Sequence, residues 1–166
     1  VAKNVLPAAR GYRPFASLTE LSGAATERLR GIYATKATDG TVLTFAGDDD
    51  DLYKLNTTTF ALDSINSGYT MSGDTYWKFV RFGDEVIACG NDTDGLQGFT
   101  VGTDSAFAAI SGAPAAREIA VVRDFVVTGN VTYSSATYRS RVRWSAINDA
   151  SSWTLGTNQA DFRSEE

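Results

Sequence analysis

Residues 118–155 read EIAVVRDFVVTGNVTYSSATYRSRVRWSAINDASSWTL, and the expected architecture follows from this stretch. Two short runs of β-branched and aromatic residues flank the charged pair Arg123-Asp124, a pattern that predicts a β-hairpin. Val142 and Trp144 then alternate with polar residues, which predicts a third strand with one face buried. A short segment that carries Trp153 predicts a fourth strand. The stretch therefore predicts one four-stranded antiparallel sheet.

The same order of strands and turns occurs twice more upstream. Asp39, Asp84 and Asp124 stand at equivalent turns, 45 and 40 residues apart. A four-stranded unit that recurs every 40 to 45 residues or so is typical of β-propeller blades. A closed ring typically has about four to eight blades, so we expect further blades or partner chains to complete it. The sequence thus predicts an all-β protein with three blades of an incomplete propeller, at residues 28–66, 76–110 and 116–155.

The residues before the first repeat show no clear strand or helix period. Pro7 and Pro14 remove backbone donors and favour extended chain, so residues 1–27 are predicted to form an extended N-terminal arm. The arm either packs on the first repeat or reaches a neighbouring subunit. Arginine and aromatic side chains dominate the anchors of protein interfaces. We therefore predict subunit contacts at Arg10, Tyr12, Arg13 and Phe15.

Two polar segments adjoin the strands of the third repeat. Residues 130–140 are predicted to form a loop, and loops on a rigid sheet are where partner contacts concentrate. Tyr133 and Tyr138 in this loop are therefore added to the predicted protein interface. Residues 156–166 are expected to be a connector that leads to blades beyond the sequence given.

Composition argues against several classes of chemistry. The chain has no histidine, so Ser-His-Asp and Cys-His catalytic sites and imidazole metal sites are excluded within it. It also has no Gly-rich phosphate-binding motif. Four consecutive acids, Asp48–Asp51, offer oxygen ligands for Ca²⁺, but a solvated, self-repelling loop is the favoured interpretation. We accordingly predict no catalytic, cofactor-binding or metal-binding residues and no enzyme activity.

Charge and hydropathy restrict the expected partners. A net charge of -5 argues against a broad nucleic-acid-binding surface. No run of about 18 apolar residues is present, so no membrane span is predicted. The single cysteine, Cys89, lies in a strand of small and β-branched residues and is predicted to be a buried apolar side chain.

The three tryptophans leave two interpretations open. Trp77, Trp144 and Trp153 each lie among alternating apolar residues, which favours packing between neighbouring blades. Exposed indole rings beside a pair of carboxylates would instead suit a carbohydrate-binding or glycan-cleaving propeller that recognises a host surface. Acids that serve turns are the commoner explanation of such carboxylates.

Six segments resemble a group of tailed-phage and prophage structural proteins. They keep their order along nearly the whole chain, and the most specific part is VVRDFVV followed by RVRWSAIND. The segments are NVLPAARGYRP (4–14), DGTVLTFAG (39–47), DLYKL (51–55), FGDEVIA (82–88), AAREIAVVRDFVVTGN (115–130) and RVRWSAINDASSWT (141–154).

This group is similar, more loosely, to the tail-hub or head-completion proteins of short-tailed phages. The resemblance implies a virion protein that forms a tail-hub or nozzle ring of several copies below the portal and its adaptor. Such a ring helps to retain the genomic DNA and passes it through its lumen on infection. No catalytic residue is implied. The leading hypothesis is therefore a structural virion component, and the glycan-binding propeller is the alternative.

Overall fold

The computed structural model describes residues 5–15 and 20–165, which form fourteen β-strands and no helix. The strands are β1 (Val5–Ala8), β2 (Gly11–Pro14), β3 (Gly31–Lys36), β4 (Val42–Gly47), β5 (Asp51–Leu55), β6 (Leu62–Ser67), β7 (Lys78–Phe82), β8 (Glu85–Cys89), β9 (Gln97–Thr100), β10 (Ala108–Ala109), β11 (Ala115–Val122), β12 (Phe125–Tyr133), β13 (Ala136–Trp144) and β14 (Asp161–Arg163). The predicted all-β class is confirmed.

The strands pair with their neighbours in chain order. β1 and β2 form a two-stranded hairpin, and the other strands form three four-stranded antiparallel sheets. We call these sheet 1 (β3 to β6), sheet 2 (β7 to β10) and sheet 3 (β11 to β14). Sheets 1 and 2 correspond to the first two predicted repeats, and the first three strands of sheet 3 fall on the third. Among the residues that the structure describes, no sheet closes on itself.

The first hairpin of each sheet turns where the sequence indicates. Gly40 and Gly83 have φ values of 92° and 59° in the turns of sheets 1 and 2, a conformation that glycine adopts without strain. In sheet 3 the equivalent position is Arg123, with φ of 53°. The charged pair Arg123-Asp124 therefore joins β11 to β12 as predicted.

The polar loop predicted at residues 130–140 is wrong, because most of it belongs to strands. β12 continues to Tyr133 and β13 begins at Ala136, so only Ser134 and Ser135 remain as a turn, with φ of 51° and 64°. Threonine and tyrosine suit a pleated, half-buried surface, which explains why this polar segment stays in the ladder. The pairing shifts register near Asn130, whose φ is 51°.

The fourth strand of sheet 3 also differs from the prediction. It is β14 at Asp161–Arg163, inside the segment expected to be a connector, and Trp153 lies in the turns that precede it. Phe162 of β14 stands opposite Arg143 on β13. Trp153 instead fills the core, and its indole nitrogen donates a hydrogen bond to the carbonyl of Ala150 at 2.8 Å.

The core consists of two clusters, one on each side of sheet 2. Along β8, Val86 and Ala88 pack in the first cluster, between sheets 1 and 2, whereas Ile87 and Cys89 pack in the second cluster, between sheets 2 and 3. This alternation is the two-residue period of a strand that is covered on both faces. Sheet 2 is therefore the middle layer of a stack.

Contacts between sheets concentrate on their first strands. Among the strands of the described residues, β7 contacts β3 on one side and β11 on the other, while the fourth strands make no comparable contact. The three sheets thus approach one another most closely along the first strand of each. The sheets follow one another in space in the order in which the chain makes them.

Candidate protein interface

The hairpin of β1 and β2 presents all four residues that the arm prediction names. Tyr12 is 71% exposed and Phe15 is 51% exposed, and both arginines are also exposed. Tyr12 lies opposite Pro7 and Arg13 lies opposite Leu6, so these two side chains point to opposite faces of the hairpin. β1 and β2 pair only with each other within the described residues. An isolated two-stranded hairpin is only marginally stable in water.

Tyr133 and Tyr138 lie on sheet 3, and no described hydrogen bond or aromatic contact joins them to the hairpin. Each tyrosine ring faces an arginine of β13. The Cζ atom of Arg143 is 4.2 Å from the Tyr133 ring centroid, and that of Arg141 is 3.4 Å from the Tyr138 ring centroid. Tyr133 is partly exposed and Tyr138 is more buried. The six predicted interface residues therefore fall into two separate groups.

The outer face of sheet 3, which points away from sheet 2, carries apolar residues that the sequence interpretation assigned to the core. On β13, the pattern predicts that Val142 and Trp144 are buried, but the fully buried side chains are Arg143 and Ser145. Val142 is 40% exposed and shares this face with Val127, whereas Val122 lies on the same face two strands away, next to the turn between β11 and β12. Val122 is 53% exposed. Alternating polar and apolar residues show which side chains share a face of a strand, but they do not show which face packs against another sheet.

The outer face of sheet 1 is the other uncovered surface of the stack. Ile32 is 71% exposed and Val42 is largely exposed, and both point away from sheet 2. The same face is covered at Tyr53, in the row that also contains Ile32 and Ala46, by the chain before β3: the Tyr53 hydroxyl accepts a hydrogen bond from the Thr26 amide at 3.3 Å. The uncovered residues are therefore Ile32 on β3 and Val42 at the start of β4.

The acidic loop Asp48–Asp51 is partly buried, so the prediction of a solvated loop is wrong for Asp48. This carboxylate is fully buried and accepts hydrogen bonds from the Tyr53 hydroxyl at 2.7 Å and the Asp51 amide at 2.8 Å. Burial alone would raise the pKa of Asp48, but these donors outweigh it and lower the pKa below its ordinary value. Asp49 forms an ion pair with Arg30, which lowers the pKa of the Asp49 carboxyl. The loop therefore anchors sheet 1 to its flanking segments.

The described residues form no metal centre. In residues 5–15 and 20–165, no group of three or more potential ligands converges on a metal position. Cys89 is buried, as predicted, and burial raises the pKa of its thiol to about 12. Over the same residues there is no helix of the length and hydropathy that crossing a bilayer requires.

The tryptophans pack mainly inside the stack. Trp77 is buried in the first cluster, where its indole nitrogen donates to the carbonyl of Asp48 at 2.9 Å. Trp153 is buried in the second cluster, and Trp144 is half-buried on the outer face of sheet 3. Two of the three rings on which the glycan-binding alternative depends are therefore inaccessible to a sugar.

Neither a known family model nor a curated protein matches this chain. The candidate interface consequently consists of three surfaces that geometry alone identifies: the hairpin, the outer face of sheet 1 and the outer face of sheet 3.

Proposed function

We propose that this chain is a structural, protein-binding component whose three sheets are blades of an incomplete β-propeller. The observation that carries the proposal is that sheet 2 is the middle layer: it buries apolar side chains on both faces, while each end sheet leaves apolar residues of its outer face exposed. Sheets that converge along their first strands have the wedge arrangement of propeller blades around an axis. In such an array each unit is stabilised by its neighbours.

The two end faces are suited to different partners. Sheet 2 has two faces, one toward sheet 1 and one toward sheet 3. The outer face of sheet 3 corresponds to the second of these. The outer face of sheet 1 corresponds to the first. Two unlike but complementary faces favour head-to-tail contacts, which close into rings when the rotation between units permits. The hairpin supplies a third contact surface with exposed Tyr12 and Arg13.

The resemblance to tailed-phage structural proteins supports a place for this assembly in a virion. We propose a tail-hub or nozzle ring in which copies of the chain contact one another, the portal with its adaptor, and other tail proteins. The net charge of -5 suits a ring whose lumen repels DNA and lets it pass without binding it. The role is mechanical, and it needs no catalytic residue.

Association of the purified chain tests the proposed interfaces. Val122→Lys and Ile32→Lys place a charge on the two outer faces and are expected to weaken self-association, because a lysine there would be desolvated without a partner. Tyr12→Ala is expected to weaken assembly while the sheets stay folded. Thr103→Lys adds the same charge on an exposed loop of sheet 2 and serves as the matched control.

Sedimentation velocity across a concentration series measures association, and circular dichroism measures folding. The expected result is reduced association for the three interface variants, normal association for Thr103→Lys, and β-sheet spectra for all four. A wild-type chain that stays monomeric at every concentration contradicts the proposed interfaces. Absence of this chain's peptides from the purified phage particles of its source contradicts the virion role.

A further inference from the structure

The most deeply buried cation of sheet 3 has no carboxylate partner. Arg143 is only 3% exposed, and its Nη2 donates a hydrogen bond to the carbonyl of Trp153. Its Nε and Nη1 atoms have no acceptor in the described part of the chain. The Cζ atom is 4.2 Å from the Tyr133 ring centroid and 6.0 Å from the Trp153 ring centroid, so aromatic rings take the place of a counter-ion.

Two other arginines of this chain have carboxylate partners for their guanidinium groups. Arg30 pairs with Asp49 and donates to two carbonyls, and Arg117 pairs with Asp92 through two hydrogen bonds of 2.8 and 2.6 Å. Arg143 is more buried than either, yet none of the described ion pairs includes it. Burial lowers the pKa of Arg143 from its ordinary value, and Tyr133 opposes this only in part. A buried cation of this kind calls for an anion.

Arg143 lines a cavity of about 560 Å³ between the segment that enters sheet 3 and the turns that follow β13, with the Nε and Nη1 atoms of its guanidinium buried beneath the surface. The volume lies within the usual range for small-molecule sites, roughly 300–1,000 Å³. The remaining lining is neutral, and its polar side chains are hydroxyls. They belong to Ser111, Ser151, Ser152 and Thr154, together with Tyr133. No acid lines the cavity even though the chain contains 20 acids.

We propose that this cavity binds a carboxylate, with the Arg143 guanidinium as the charged donor and the hydroxyls of Ser111, Ser152 and Thr154 as neutral donors. The Ser151 hydroxyl already donates to the Asp149 carboxylate at 2.6 Å. One cation surrounded by neutral donors matches the single charge of a carboxylate, whereas a phosphate dianion calls for a second positive group. Tyr133 covers the guanidinium and is 41% exposed at the end of β12. Its ring is the side chain that moves aside to admit the ligand. The site does not depend on the sheets forming a ring.

Titration of the whole chain with acetate, glucuronate and phosphate, each at constant ionic strength against chloride, tests this site. NMR follows the Nε–H resonance of Arg143, and calorimetry gives the affinity. Saturable binding of a carboxylate with a shift of that resonance is expected. Arg143→Met is expected to weaken binding by about tenfold or more, which is what loss of one charge-assisted hydrogen bond produces. Arg139→Met, an exposed arginine on the same strand, is expected to leave binding unchanged.

Stability without ligand provides a second readout. Replacing a buried, unpaired cation with an apolar side chain of similar length is often neutral or stabilising, so Arg143→Met is expected to unfold at the same or a higher temperature than wild type. If that variant does not fold, Ser152→Ala and Arg143→Lys decide the matter, and unchanged carboxylate affinity in both overturns the proposal. Absence of saturable binding by any probe overturns it as well. Tighter binding of phosphate than of either carboxylate overturns the assigned ligand class.

Discussion

Gly47 is a position where one added methyl group should damage the packing between sheets 1 and 2. A Cβ atom at this position would lie 2.4 Å from Cδ1 and 2.6 Å from Nε1 of Trp77. These distances are shorter than any real contact, so Gly47→Ala requires the indole to move. The ring is held by its hydrogen bond to the carbonyl of Asp48 and by an edge contact with Tyr69, whose ring centroid is 4.9 Å away.

The expected cost has two parts. Overpacking of a filled core costs about 1–3 kcal/mol, and loss of a buried indole hydrogen bond costs about 1–3 kcal/mol more if the ring rotates away. We therefore expect Gly47→Ala to lower the free energy of unfolding by about 2–6 kcal/mol, a large share of the roughly 5–15 kcal/mol of a natural domain. Urea unfolding, followed by circular dichroism so that all sheets are observed, measures this quantity.

Two further proteins separate this explanation from a general effect of alanine. Gly23→Ala is the matched control, because a Cβ at Gly23 meets no atom within 4 Å, and it is expected to change stability by less than about 0.5 kcal/mol. In a Trp77→Phe background the smaller ring leaves room, so the cost of Gly47→Ala should fall by at least about 1 kcal/mol. A Gly47→Ala protein as stable as wild type, or an equal cost in both backgrounds, refutes the reasoning.

Asp48→Asn is expected to lower stability at pH 7 by about 2 kcal/mol, because the amide cannot accept the hydrogen bonds of Tyr53 and the loop amides as a carboxylate does. The pKa of Asp48 is lower in the folded chain, so its contribution is present above the unfolded pKa of about 3.9 and is lost as the pH falls through the folded value. Urea unfolding between pH 7 and 3 should therefore show a weaker acid dependence in Asp48→Asn than in wild type; equal curves contradict this. Cys89 is expected to resist alkylation in the native state, because the thiol is buried and its pKa is raised to about 12. Mass spectrometry after iodoacetamide treatment tests this, with the urea-unfolded chain as the reactive control, and rapid native labelling contradicts it.

The sheets could be predicted from sequence because two local signals agree in each repeat. Alternating apolar residues give the strands, and a turn pair such as Asp39-Gly40 or Gly83-Asp84 gives the reversal between them. Both signals depend on neighbours in the chain and so survive without knowledge of the tertiary structure. The propeller itself depends on how sheets close around an axis, and it remains a proposal.

Errors arose where the local signal is weak or depends on a distant partner. β14 has only three residues, and Phe162 is its single apolar residue. The Phe162 ring centroid lies 4.4 Å from the Cζ atom of Arg141 on the neighbouring strand. Residues 130–140 contain hydroxyl side chains that suit a turn as readily as a strand edge. The run Asp48–Asp51 carries four like charges, and its burial depends on Tyr53 and Arg30, which no pattern of acids discloses.

The candidate interface could be predicted only in part. The hairpin residues could be predicted because arginines and aromatic residues occur in a segment that has neither a strand nor a helix period. Their exposure agrees with that prediction. The outer face of sheet 3 was missed because Val142 and Trp144 read as core, whereas Arg143 occupies the covered side. In a strand of alternating polar and apolar residues, the sequence does not distinguish a buried arginine at a polar position from a solvent-exposed one.

The chain-order stacking of the sheets has a consequence for how the protein is made. Sheet 2 touches sheet 1 and sheet 3, but the strands of sheets 1 and 3 make no extensive contact within the described residues. Each new layer can therefore settle on one that has already left the ribosome, without waiting for distant sequence. In this order of synthesis, sheet 2 can cover the inner face of sheet 1 before sheet 3 is made, and sheet 3 then covers the second face of sheet 2.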